Sequence, residues 1–206
     1  MFDVLGQSEV EEIVSPHYAP LKACLSRATE KLNRSLKNIL PTLRYTSVVG
    51  CLRDLLVGEL GAEFSGNPDV EVHEVDDLAL VPIDNKIVLR FHALNRNGVP
   101  SRNKTLRTKQ FYEQDSAADL VGPRTNLVFG YEVEITDRIT INDVHLLCPN
   151  GGGFAWKISI GGLDQADNVR YFPSGDSVDS VSETKISPAE GKENSIKGGD
   201  SSGEGG

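Results

Sequence analysis

The sequence predicts an α+β fold: N-terminal helices followed by a mainly antiparallel β-sheet with one inserted helix, and then a disordered tail. Three observations predict it. Apolar residues recur at helical spacing from position 21 to 64. From Val70 the period changes to two. One helix-like stretch, 102–114, interrupts the strands that follow. Helices, then strands, then a helix and more strands is the order of an α+β domain.

The elements follow in chain order. Ser8-Glu9-Val10-Glu11 has the form of a capping box, so a short helix is expected over about 9–15. Pro16 and Pro20 break or redirect it. Leu21, Leu25, Ala28, Leu32, Leu36 and Ile39 share one face of a helix over 21–40, which Pro41 stops. Arg27, Lys31 and Arg34 fall on its opposite, solvated face. A second helix over 45–64 has Val48, Val49, Leu52, Leu55, Leu56 and Leu60 on its apolar side. Its glycines 50, 58 and 61 each weaken it by about 1 kcal/mol relative to alanine, and permit close packing against another element.

Gly66-Asn67-Pro68-Asp69 reads as a turn. Strands follow over 70–75, 78–81 and 86–92, the last two joined by Asp84-Asn85. After a loop over 95–101, the helix at 102–114 points Leu106, Phe111 and Tyr112 inward. Strands over 126–136, 139–149 and 154–160 complete the sheet, with Asp137-Arg138 and Gly151-Gly152-Gly153 as turns and Trp156 in the core. A chain of 206 residues with 38% hydrophobic and 25% charged residues fits one such domain, over 1–172. Residues 173–206 contain seven Gly, eight Ser and no aromatic residue. A tail of that composition cannot offset its ordering entropy by burial, so it is expected to be disordered.

The formal net charge is -9, which argues against indiscriminate coating of nucleic acid or an anionic membrane. The charge lies in blocks, however. Residues 21–53 carry seven bases and one acid, 54–84 nine acids and no base, and 85–112 seven bases and no acid. Either opposite blocks cancel in the fold or they form patches. No stretch approaches a membrane span. The acid-interrupted start has no secretory character, so a cytoplasmic location is expected. Cys24, Cys51 and Cys148 are widely spaced and read as three reduced, buried thiols.

No complete catalytic or metal motif is present. His145 and Cys148 have H-x-x-C spacing, but on a strand such a pair points to opposite faces. The three glycines at 151–153 lead into a strand rather than the helix a phosphate loop needs. Restriction-like nucleases place a carboxylate on a helix, then Asp and a (D/E)-x-K pair on strands, to hold a divalent ion and activate water. Glu59, Glu63, Asp76 and Asp77 match the first part of that layout. The (D/E)-x-K position instead reads Arg90-Phe91-His92. Neither metal nor cofactor is therefore expected. The strongest binding signal is Arg96, Arg102, Lys104, Arg107 and Lys109, interleaved with amides, a set suited to an acidic protein partner or to phosphate.

Val88-Leu89-Arg90-Phe91, Ser101-Arg102-Asn103 with Thr105, then Gln110, Phe111, Gln114, Gly130-Tyr131 and Trp156 carry a resemblance. Over roughly residues 10–160 the chain resembles a family of uncharacterised bacterial and phage-associated proteins found near helix-turn-helix and toxin–antitoxin-type genes. The resemblance implies a small component acting through partners, and it transfers no catalytic residue. The expectation is a non-catalytic binding or regulatory protein of a bacterial stress, phage-defence or toxin–antitoxin-like system. It acts through a protein partner, with nucleic acid as a possible second ligand at the local basic patch. The alternatives are a divergent restriction-like metal-dependent nuclease, a nucleic-acid-binding module, or a structural subunit of a larger assembly.

Overall fold

The computed structural model describes residues 4–75, 78–95, 97–100, 105–115, 124–163 and 170–172. The expected disordered tail at 173–206 lies outside them. Helix α1 spans Gln7–Val14. Its start is one turn's detail away from expectation: the backbone N–H of Gly6, not Ser8, is the group that Glu9 reaches back to cap, at 3.0 Å. A single 3₁₀ turn at Ser15–His17 accommodates Pro16 and leads directly into α2, Tyr18–Leu36. Pro20 sits in the first turn of α2, where its missing N–H costs nothing. Leu21, Leu25, Ala28 and Leu32 are buried as the spacing requires. Helix α2 ends at Leu36, before Pro41, which lies instead in a 3₁₀ turn at Leu40–Thr42. Ile39 is consequently exposed.

Helix α3, Tyr45–Glu63, has the expected bounds within one residue. Its glycines do not serve close packing. A Cβ added at Gly50, Gly58 or Gly61 would meet nothing within 4 Å, so all three face open space.

Among the described residues the sheet has seven strands in sequential order: β1 His73–Val75, β2 Leu78–Ile83, β3 Ile87–Leu94, β4 Thr125–Ile135, β5 Ile139–Asn150, β6 Gly153–Ser159 and β7 Arg170–Phe172. Every neighbouring pair is antiparallel except β3 and β4, which run parallel because helix α4, Leu106–Tyr112, lies between them. Parallel neighbours need such a crossover. Asp84 and Asn85, with φ of 51° and 53°, supply the left-handed residues of the three-residue turn over 84–86 that joins β2 to β3. Strand β7 has no counterpart in the sequence reading.

The period of two gives the sheet two unlike faces. On one, Leu89, Phe91, Leu127, Phe129, Leu146 and Ile158 pack beneath α1–α3 with Leu25, Leu52 and Leu56; Trp156 belongs to this core. On the other, a small cluster of Leu94, Val128, Leu147 and Tyr112 forms under α4. Gly130 lies there, between the side chains of Leu94 and Leu147; a Cβ at 130 would sit 2.7 and 2.8 Å from their methyl groups.

Side chains stitch these layers together. Asn33 of α2 completes the ladder edge of β5, accepting from Ile139 N at 2.7 Å and donating to its carbonyl at 2.8 Å. Gln114, just beyond α4 and at φ 56°, does the same for β4. Its amide oxygen accepts from Asn126 N, and its amide nitrogen donates to the carbonyls of Asn126 and Pro149, all within 3.0 Å. That clamp fixes the C-terminal end of α4 on the sheet.

Candidate functional site

The proposed basic surface divides on inspection. Arg96, Arg102 and Lys104 lie outside the described residues. Arg107 and Lys109 are on α4 and exposed. The helix starts at Thr105, whose hydroxyl accepts from Thr108 N at 3.2 Å. From that start, Thr108 and Tyr112 turn inward, one helical turn apart. Leu106, expected inside, is instead 71% exposed, next to Arg107. Lys109 Nζ lies 3.8 Å from Glu113, one turn on. An exposed pair of that kind is weak, so it leaves the lysine available to a partner. Beneath the helix, the Arg90 guanidinium stands over the Phe111 ring, 5.5 Å from its centre.

Two acids of the block 54–84 find their cations on α2. Glu59, nearly buried on α3, gives one carboxylate oxygen to Arg27 Nε at 2.6 Å and the other to Lys31. Arg27 also reaches Glu63 at 2.7 Å. Two of the bases expected on a solvated face of α2 therefore bind it to α3. Lys31 first and Arg27 second hold the Glu59 carboxyl below the usual range. For Glu59 and Glu63, this neutralisation engages the first basic block.

The same contacts bear on nuclease chemistry. Both oxygens of Glu59 are engaged by cations, so it has none to give a metal. Asp76 and Asp77 lie outside the described residues. Among the described residues no group of three His, Cys, Asp or Glu side chains is placed to hold a metal ion. His145 lies on the opposite face of β5 from Cys148, which is in the helix-covered core.

A polar network on the α4 face was not found from the sequence. His145 Nε2 is 3.0 Å from Glu132 Oε1 and 3.6 Å from Asp143 Oδ2. Ser159 donates to the Asp143 carboxylate, with 2.9 and 3.0 Å to its two oxygens. Burial lowers the His145 pKa, and Lys157 adds to that shift, against Asp143 and Glu132. Neutral imidazole is thus the favoured form. This is not a relay for nucleophilic attack. Ser159 bonds the carboxylate rather than the imidazole, and Ser159 and His145 are each only 3% exposed. The network partners the Asp143 carboxylate and His145 Nε2 inside the sheet's second face, while His145 Nδ1 stays enclosed without a hydrogen bond.

A cleft of about 730 Å³ opens beside it, at the carboxyl ends of β3 and β4, lined in part by Tyr45, Asn95, Glu132, Glu134 and Asn142. Its acids are already engaged, Glu132 by His145 and Glu134 by Asn142 at 3.1 Å. The cysteines offer little chemistry. Cys24 and Cys148 are buried, and burial raises their thiols to about 11 and about 12. Cys51, expected to be buried with them, is exposed on α3.

No protein-family model, no curated protein and no solved structure matches the chain. The site has to be read from its own geometry. No helix among the described residues is long and apolar enough to cross a membrane.

Proposed function

We propose that this chain is a non-catalytic binding protein that engages an acidic protein partner through the outer face of α4. One observation carries the reading: Leu106 stands 71% exposed, with Arg107 and Lys109 exposed on the same short helix. A large apolar side chain set among cations suits a partner that presents an apolar pocket rimmed by acids. The proposed surface extends to Arg96, Arg102 and Lys104. The cellular setting, a bacterial stress, phage-defence or toxin–antitoxin-like system, rests on the sequence resemblance alone. The cytoplasmic location rests instead on the acid-interrupted start of the sequence.

A photo-crosslinking residue at position 106, introduced in the native cell, tests the surface. It is expected to capture one discrete protein rather than nucleic acid. The Arg107→Glu/Lys109→Glu double variant is expected to lose that adduct while its thermal midpoint stays unchanged. An adduct that survives both reversals would overturn the acidic-partner reading, and no adduct at all would place the contact elsewhere.

A further inference from the structure

We propose that Arg90 is the anion-seating residue of this surface, and that it takes a single carboxylate from the acidic partner against the Phe111 ring. The inference rests on the binding role assigned to α4. Arg90 comes from the middle of β3 and is only 6% exposed. It stays charged under all ordinary conditions. In register with it stand Leu80 on β2 and Val128 on β4, both apolar. Among the described residues no carboxylate pairs with it; its guanidinium stacks on the ring of Phe111.

Among the described residues this cation has no counter-ion; a buried charge left so is costly, and stacking on one ring offsets only part of the cost. A carboxylate arriving from outside would complete the site. Among the described residues the fully enclosed polar atoms lacking a hydrogen bond include His92 Nε2 and Arg124 Nη1, but no nitrogen of Arg90. The guanidinium of Arg90 is therefore not fully enclosed. A planar carboxylate matches a guanidinium fork, and the apolar walls strengthen the pairing by lowering the local dielectric.

Arg107 lies four residues before Phe111, on the adjoining turn of α4. One deep site suits one acidic side chain. A nucleic-acid backbone instead needs a track of cations, and a chain of net charge -9 repels it at a distance.

Fluorescence anisotropy on the full chain tests this with a labelled peptide alternating Glu and Leu. The controls are the same peptide with Gln for Glu, and a single-stranded DNA of equal charge. The wild-type chain is expected to bind the Glu peptide at least tenfold more tightly than either control. Arg90→Met is expected to lose at least tenfold in affinity while its thermal midpoint stays level or rises, because an unpaired charge has been removed. Arg90→Lys should recover only part of the binding, since it lacks the fork. A lowered midpoint in Arg90→Met would make Arg90 a structural cation and overturn the proposal. So would preference for the DNA, or no preference for Glu over Gln. If Arg107→Glu abolishes binding but Arg90→Met does not, the surface stands and the Arg90 assignment fails. If neither changes it, the α4 reading fails too.

Discussion

The two faces of one sheet are built on opposite principles. Beneath α1–α3 the residues are apolar from strand to helix: Leu89, Phe91, Leu127, Phe129 and Leu146 meet Leu25, Leu52 and Leu56. Beneath α4 the apolar cluster is small, and beside it lie Arg90, His92, His145, Asp143 and Ser159. Seven residues of helix cannot cover a seven-stranded sheet. The difference teaches where stability and recognition reside. The first face supplies the burial that holds the fold. The second carries buried polar groups that stability alone would replace with apolar ones.

The sharpest way to break that contrast is in the large core. Phe129 is fully buried and packs against Phe91 with ring centres 5.1 Å apart. Phe129→Ala is expected to cost about 3–5 kcal/mol. Leu106→Ala, on the exposed side of α4, is expected to stay within about 0.5 kcal/mol. Urea unfolding of both variants measures the gap. Comparable losses would mean that α4 packs against something that makes Leu106 part of the fold.

Acid should act on the second face first. His92 is pushed down to about 3, mainly by burial, then by the guanidinium of Arg90 and that of Arg53. Its Nε2 is enclosed without a hydrogen bond. In the unfolded chain it titrates near its ordinary value, about 6.5. The folded state therefore binds fewer protons below that pH, and stability falls as pH drops. From pH 6.5 to 5 the loss from this one group is about 2 kcal/mol. Glu59 acts in a lower window: its depressed carboxyl contributes stability above its unfolded value and loses it as pH falls further. His92→Gln should flatten the decline between pH 6.5 and 5 and leave the steeper acid limb intact. Urea midpoints across that range check it; an unchanged slope would mean that His92 protonates in the folded chain.

The elements were legible where local pattern decides. Leu21, Leu25, Ala28 and Leu32 mark α2 by spacing, and Asp84-Asn85 marks its hairpin because both residues tolerate positive φ. Leu106 was misplaced because a helix of seven residues takes its rotation from its cap and its tertiary contacts. Thr105 begins it, and Tyr112 anchors it. The network of Glu132, Asp143, His145 and Ser159 was hidden for a different reason. Its members come from three strands, and the register shifts between Tyr131 and Val133. No single segment of sequence records such a shift. Arg90 was visible as a residue, but its burial, and its lack of a carboxylate partner among the described residues, follow only from the fold.

The smallest expected effect separates packing from propensity on the covered side itself. Helix α3 buries Leu52, Leu56 and Leu60 against the core, yet Gly58 and Gly61 on the same helix have open space where a Cβ would be. Glycine leaves the unfolded chain more conformations to lose, and alanine removes that cost where no neighbour obstructs it. Gly58→Ala is expected to stabilise the domain by about 1 kcal/mol. Gly130→Ala, the same substitution on the second face, would drive a methyl group into Leu94 and Leu147 and is expected to destabilise by about 1–3 kcal/mol. Opposite signs for the two, read as shifts of the urea midpoint at constant slope, would establish that α3 presents its glycines to solvent. A loss at Gly58 as well would mean that a partner surface or another segment of the chain lies close against α3 there.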